Sequence, residues 1–223
     1  MLIVTVSRQF GSHADPIVQM VAKKLRFEIL DKDLIREIAR RAKVDEGAVK
    51  ELDEEEETGL IGFMSRWMDS EALARGAAFE TGVFSWDLAG QENSDEEHHV
   101  LDRVEYHRIV EDVIRAVHGR GKAVIMGRGG VMVLKEYPDV LRVRITASVE
   151  SRAERVAELM KLDYRTAFRE VEASDRRRAA FLRRWYQVEW TDPALYHLMI
   201  NTDVASEELA AAVIVAGTKE LSR

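Results

Sequence analysis

The stretch Leu2-Ile3-Val4-Thr5-Val6-Ser7-Arg8-Gln9-Phe10-Gly11-Ser12-His13-Ala14-Asp15-Pro16 decides how this chain folds. Leu2 to Ser7 is a short, mostly apolar run of the length of a buried strand. Arg8 to Ala14 forms a turn with one glycine, Gly11, which can take a positive φ and let the backbone approach a ligand. Asp15-Pro16 has the chemistry of a helix start, an acidic N-cap followed by proline at the first helical position. The first turn of a helix offers unpaired N–H groups and a partial positive charge. Strand, turn and helix in this order therefore make a place for an anion.

A phosphate-cradling loop reads G-x-x-x-x-G-K-[ST]. Aligned through Gly11, Arg8 takes the slot of the first glycine and His13 that of the second, while Ala14 replaces the lysine and Asp15 the hydroxyl residue. The backbone amides from Gly11 to Ala14 still have the makings of an anion nest. Arg8 reads either as a bidentate phosphate ligand or as a surface arginine paired with a carboxylate. Asp15 reads as a cap on the helix N–H groups or as a ligand for Mg²⁺.

Outward from this unit, helices and apolar runs alternate. Phe27 to Leu30 reads as a strand and Asp31 as the cap of a helix from Lys32 to about Lys43. A further short helix from Val44 ends in the acidic run Asp53 to Glu57, a solvated segment. Gly59 to Glu97 is irregular, with Trp67 and Trp86 among five glycines. It reads as a substrate-side flap, an oligomer contact or simple packing on the core. His98 to His118 has a helical pattern with Val100, Val104, Ile109, Val113, Ile114 and Val117 inward. A strand at Ala123–Met126 runs into Gly127-Arg128-Gly129-Gly130. Strands at Val140–Thr146 and Leu198–Ile200, and helices after Ser148, from Tyr164 to Tyr186 and from Glu207 to Leu221, complete the chain. Such alternation without hairpin turns predicts a three-layer α/β/α fold around a parallel sheet.

The chain has 223 residues, enough for one core and a mobile subdomain. It is 46% hydrophobic and 33% charged, as soluble globular proteins are. Cysteine is absent, which excludes disulfides and thiolate metal sites and suits a cytoplasmic setting. No signal peptide precedes the first strand and no apolar run has bilayer length, so no membrane role is expected. A net charge of -7 argues against general nucleic-acid binding. His98-His99 lacks metal-ligand spacing and no metal site is expected. No G-x-S-x-G nucleophile turn is present.

Two residue groups stand out chemically. Arg128 lies between glycines directly after a strand, where ligands of open α/β sheets bind, and reads as a phosphate clamp or as a loop-structuring arginine. The helix around Arg165–Arg184 is rich in arginine. Arg169, Arg176 and Arg183 recur every seven residues on one face. Asp175 is placed to pair with Arg178 one turn on. Arg176, Arg178 and Arg183 read either as closing over phosphates or as solvated arginines paired with Glu170, Glu172 and Asp175.

The segments Val4-Thr5-Val6-Ser7-Arg8-Gln9-Phe10-Gly11-Ser12, Leu30-Asp31-Lys32-Asp33-Leu34-Ile35 and Val124-Ile125-Met126-Gly127-Arg128-Gly129-Gly130 resemble the cytidylate kinase-like family. So do Tyr137 to Ile145, Asp175 to Tyr186, and Asp192-Pro193-Ala194-Leu195-Tyr196 through Ile200-Asn201-Thr202. The family loop is similar to Ser-Arg-Gln-Phe-Gly-Ser-Gly-Gly-Arg, from which His13, Ala14 and Asp15 depart.

The resemblance implies a P-loop NTPase fold of the nucleoside monophosphate kinase type with a helical lid. It spans 1–223 as one domain, with a helical insertion or acceptor-side subdomain at 45–97 and an arginine-rich lid at 150–190. It implies a kinase, a transferase that moves the ATP γ-phosphoryl group to CMP or a similar nucleotide with Mg²⁺. ATP would bind Ser7, Arg8, Gln9, Gly11, Ser12, His13, Ala14 and Asp15. Asp31 and Arg128 would face the acceptor, and Arg128, Arg176, Arg178 and Arg183 would act on the transferring group. Nucleotides are the implied partners, and the sequence leaves homo-oligomerisation open. The altered loop keeps a second reading open, a catalytically weak or inactive nucleotide-binding regulatory or scaffold protein.

Overall fold

The computed structural model describes residues 2–30 and 103–221. Asp31, the expected helices after it and the 45–97 insertion lie outside the described residues. Five strands form one sheet: β1 (Ile3–Arg8), β2 (Glu28–Leu30), β3 (Ala123–Met126), β4 (Val140–Thr146) and β5 (Leu198–Asn201). Their order is β2-β3-β1-β4-β5 and every pair is parallel. Val6 sits opposite Met126 on one side of β1, and Ser7 opposite Arg144 on the other. The helices are α1 (Ala14–Leu25), α2 (Arg103–Arg120), α3 (Gly130–Val133), α4 (Val149–Met160), α5 (Tyr164–Tyr186) and α6 (Glu207–Glu220). Ser148, Asp163 and Ser206 cap α4, α5 and α6, each side chain accepting from the N–H three residues on.

Strand alternation sends successive side chains to opposite faces. Val4, Val6, Leu141, Val143 and Ile145 face α1 and α6, where Ile17, Val18, Val21, Ala210 and Ile214 meet them. Ile3, Ile125 and Val140 face α2, under Tyr106, Val110, Val113, Ile114 and Val117. The expected three layers are present. Val104 departs from expectation: it is exposed, and Tyr106 and His107 point inward instead. Val104 lies about 120° around the helix from the stripe marked by Val110.

α4 and α5 pack along each other, and Phe10 of the first turn joins Val156, Ala167 and Val171 between them. The adjacent strands β1 and β3 send their chains to opposite faces, into α1 and α3 respectively. That divergence is the switch point at which an open α/β sheet leaves a crevice beyond its carboxyl ends.

Candidate anion site beyond the first and third strands

A cleft of about 670 Å³, open to solvent, lies at that point. Ser7 and Arg8 from the end of β1, Arg128 after β3 and Arg178 from α5 line it. Val131, Met132, Phe181, Leu182 and Trp190 supply an apolar wall, and no carboxylate belongs to the described lining. Three arginines therefore line one space.

The turn after β3 is shaped for this. Gly127, Arg128 and Gly129 have φ of 75°, 51° and 69°. A left-handed backbone costs a non-glycine residue about 1–2 kcal/mol, so Arg128 is held there by its surroundings. A Cβ on Gly129 would lie 2.6 Å from the Tyr186 hydroxyl oxygen, which leaves room for glycine alone. Arg128 is 4% exposed. Arg178 Nη1 donates to the Arg8 carbonyl at 2.6 Å, which fixes α5 to the end of β1.

The first turn is used differently. Helix α1 begins at Ala14, with His13 in the capping position at φ 56° and no side-chain cap. Asp15 does not cap, contrary to expectation. It lies within the first helical turn, and its carboxylate accepts from Arg8, the nearest strong donor. The helix mouth is therefore not closed by Asp15. Ala14, at the lysine slot, is buried with Ile17 and Val18, so a lysine there would point into the core. His13 Nδ1 lies 2.7 Å from Glu207 Oε1. Gln9 accepts from the Ala147 N–H at 3.2 Å and donates to Asp175 at 3.3 Å. Gly11, at φ 78°, lies under α4, where a Cβ would come within 2.8 Å of the Arg152 carbonyl oxygen. Arg155 donates to the Gly11 carbonyl at 3.3 Å, and Thr202 Oγ1 to the Ser12 carbonyl at 3.1 Å. Of the residues expected to hold ATP, Ser7 and Arg8 line the cleft, Arg8 with its guanidinium on Asp15. Gln9, Gly11, Ser12, His13, Ala14 and Asp15 are engaged by the protein itself.

The arginines of α5 divide in the same way. Arg176 and Arg183 are 70% and 62% exposed at their side chains and face Glu172 and Glu189. Arg178, on the opposite side of the helix, is the one that lines the cleft. Asp175 pairs with Arg152 rather than with Arg178: Nη1 donates to Oδ1 at 3.0 Å and Nη2 to Oδ2 at 2.8 Å. Arg152 is fully buried and also donates to the Ala147 and Phe10 carbonyls. Behind the apolar wall, His107 stacks on Trp185 at 4.0 Å, and burial holds its imidazole below the ordinary value against the pull of Glu111.

Sequence reading missed Trp190, Tyr196 and the Arg144 they cover. The available signal was Arg144 itself, a charge in the middle of a strand covered on both faces. Among the described residues, no three His, Asp or Glu side chains gather as a metal site. No described helix is long and apolar enough to cross a membrane.

Among curated proteins none matches the sequence. An uncharacterized protein from Eubacterium ventriosum shares the fold, with a TM-score of 0.63 at 16% identity over 98% of this chain and 99% of that one. Shikimate kinase from Bacteroides thetaiotaomicron superposes with a TM-score of 0.49 at 10% identity, covering 100% of this chain and 99% of its own. Shikimate kinase from Acinetobacter baumannii, in complex with shikimate, gives 0.46 at 12% identity over 99% and 94%. The family model described as cytidylate kinase-like matches residues 3–204, and the chain belongs to the cytidylate kinase-like family.

Proposed function

We propose that this protein is a nucleoside monophosphate kinase-like phosphotransferase, moving the γ-phosphoryl group of ATP to CMP or a similar nucleotide. The observation that carries this reading is the convergence of Arg8, Arg128 and Arg178 on one cleft at the switch point. Phosphoryl transfer needs little covalent help from the protein. It needs the reacting groups held in line and their spread negative charge neutralised. Guanidinium groups do both, since each can grip two phosphate oxygens. An acceptor phosphate is already an anion, so no general base is required. The wall of Phe181, Leu182 and Trp190 suits the flat apolar faces of a base.

In this reading the α4–α5 hairpin within residues 150–190 is the lid, and Arg178 is its contribution to the site. Arg176 and Arg183 take no part, because they face solvent and acidic partners. Asp31 stays on the acceptor side as part of the proposal. Asp15 is the one carboxylate of the first turn and is held by Arg8. Mg²⁺ would therefore be held chiefly by the phosphates of the nucleotide, as is usual for that ion. Nucleotides are the partners and the cytoplasm the setting of such an enzyme.

A second reading is nucleotide binding without turnover, for a regulatory or scaffold role. The buried Ala14 and the covered Gly11 favour it, since the first turn then lacks both its lysine and an open glycine face. Coupled assays of ADP release with ATP and each nucleoside monophosphate decide between them. Turnover with one monophosphate supports the kinase. ATP binding without turnover supports the second reading, and no binding of any nucleotide sinks both.

A further inference from the structure

Arg144 lies on β4 and is 2% exposed. Its guanidinium carbon sits 4.1 Å from the Trp190 ring centroid and 5.5 Å from that of Tyr196. Nη1 donates to the Trp190 carbonyl and, at 3.2 Å, to the Tyr196 hydroxyl oxygen. Nε is buried with no hydrogen-bond partner. Among the described residues no carboxylate pairs with Arg144. Arg152, buried to the same degree, is held by both oxygens of Asp175.

A buried charge is costly unless it is paired, and arginine does not shed its proton to escape that cost. Cation–π contacts with two rings offset part of the penalty and leave the charge in place. Arg144 does not itself line the cleft, but its neighbours do. Ser7 is its neighbour in the β1–β4 register, and Ser7, Trp190 and Tyr196 all line that space. The Tyr196 hydroxyl donates to the Trp190 carbonyl at 2.7 Å and lies 3.5 Å from Ser7 Oγ. Because Arg144 also donates to that carbonyl, the Tyr196 proton can turn into the cleft without leaving the carbonyl unsatisfied.

We propose that Arg144 is a positioning residue of the anion site, its charge balanced by a phosphate group bound in the cleft and delivered through the Tyr196 hydroxyl and the Trp190 wall. The proposal rests on reading the Arg8–Arg128–Arg178 cleft as a phosphate site. It adds a fourth positive charge behind the wall and a neutral donor on it. A cation one side chain away from a phosphate, in surroundings less polar than water, changes affinity by about tenfold.

The test uses inorganic pyrophosphate as the probe, with titration calorimetry and thermal unfolding of the full chain. Arg144→Met fills most of the same volume with an apolar side chain that packs on Trp190. This variant is expected to melt at or above the wild-type temperature without pyrophosphate, because an unpaired buried charge has been removed. It is expected to bind pyrophosphate about tenfold more weakly, with a shallower dependence on salt. Arg144→Lys keeps the charge but loses the planar stack on Trp190, and is expected to bind pyrophosphate more tightly than Arg144→Met while falling short of wild type. Tyr196→Phe is expected to lose about threefold to tenfold through the missing hydroxyl.

If wild type binds pyrophosphate and Arg144→Met binds it equally well, the role given to Arg144 is overturned while the cleft reading stands. If Arg144→Met fails to fold and Arg144→Lys folds but does not bind, Arg144 is a structural pillar and the proposal also falls. If wild type binds no pyrophosphate, the cleft reading falls and takes the proposal with it.

Discussion

Two turns leave neighbouring strands at the same end of the sheet, one after β1 and one after β3, and both pass through left-handed backbone. In the first, Gly11 and His13 have φ of 78° and 56°; in the second, Gly127, Arg128 and Gly129 have 75°, 51° and 69°. The first is enclosed. Gln9 is tied to Ala147 and Asp175, Gly11 lies under α4, Ala14 is in the core and His13 meets Glu207. The second keeps its arginine on the cleft. Resemblance to a phosphate loop along the chain therefore does not locate the charge. What locates it is which side chains line the cleft in the folded chain.

Breaking the first turn's enclosure should have the largest effect. Asp175→Ala leaves the fully buried Arg152 guanidinium with carbonyl acceptors only. Removing one partner of such a pair typically costs about 3–5 kcal/mol. Urea unfolding should show that loss, and a loss under 1 kcal/mol would mean that Arg152 finds water or another acceptor when α4 shifts.

Removing the second turn's charge should matter nearly as much, but to turnover and binding rather than to folding. Arg128→Gly suits φ of 51° without strain, so the loop should keep its shape. Loss of one preorganised donor on a transferring group costs about a hundredfold to a thousandfold in rate, or about 2.7–4 kcal/mol. Monophosphate affinity should fall more than ATP affinity. Equal losses for both ligands would return Arg128 to a loop-structuring role.

Much of the fold was legible because its signals are local. The five strands and the span Tyr164–Tyr186 follow from apolar runs, helical spacing and caps. The site was less legible because its partners meet only in three dimensions. Asp15 next to proline looks like a cap, but Arg8, seven residues earlier, draws the carboxylate away. The heptad of Arg169, Arg176 and Arg183 is a real helix face, and it is the solvent face. Arg178 lies two residues from Arg176 and so about 200° around the helix, toward the cleft. Asp175 is within a turn of Arg178, yet its partner is Arg152, a full helix away in sequence. In the sequence Arg144 reads only as part of an apolar strand, because one charge in a strand says nothing of which rings will cover it.

A smaller effect is expected where the two turns are most alike, at a glycine pressed by a neighbour. Gly11→Ala forces a Cβ to 2.8 Å from the Arg152 carbonyl at a positive φ. Strain and overpacking together give a loss of about 2–3 kcal/mol. Gly119→Ala is the control. It lies in α2 with nothing within 4 Å of the added atom. There alanine should raise stability by about 0.5–1 kcal/mol through helix propensity alone. If both substitutions moved the melting temperature alike, α4 would not be pressing on the first turn.

The smallest effect separates backbone strain from charge at His13. The residue holds a left-handed capping position, which glycine occupies without strain and where the loop that this segment resembles carries glycine. His13 also reaches Glu207, an interaction that is ionic only when the imidazole is protonated. Both groups are partly exposed, so the pair is worth no more than about 1 kcal/mol. His13→Gly exchanges that pair for relief of about 1 kcal/mol of backbone strain, so the two terms nearly cancel at low salt when the imidazole is protonated. Salt screens the ion pair and leaves the strain untouched. The variant should therefore gain on wild type, by up to about 1 kcal/mol, as ionic strength rises. A difference that does not change with salt would assign the contribution of His13 to packing, and would leave the departure from glycine without an electrostatic reason.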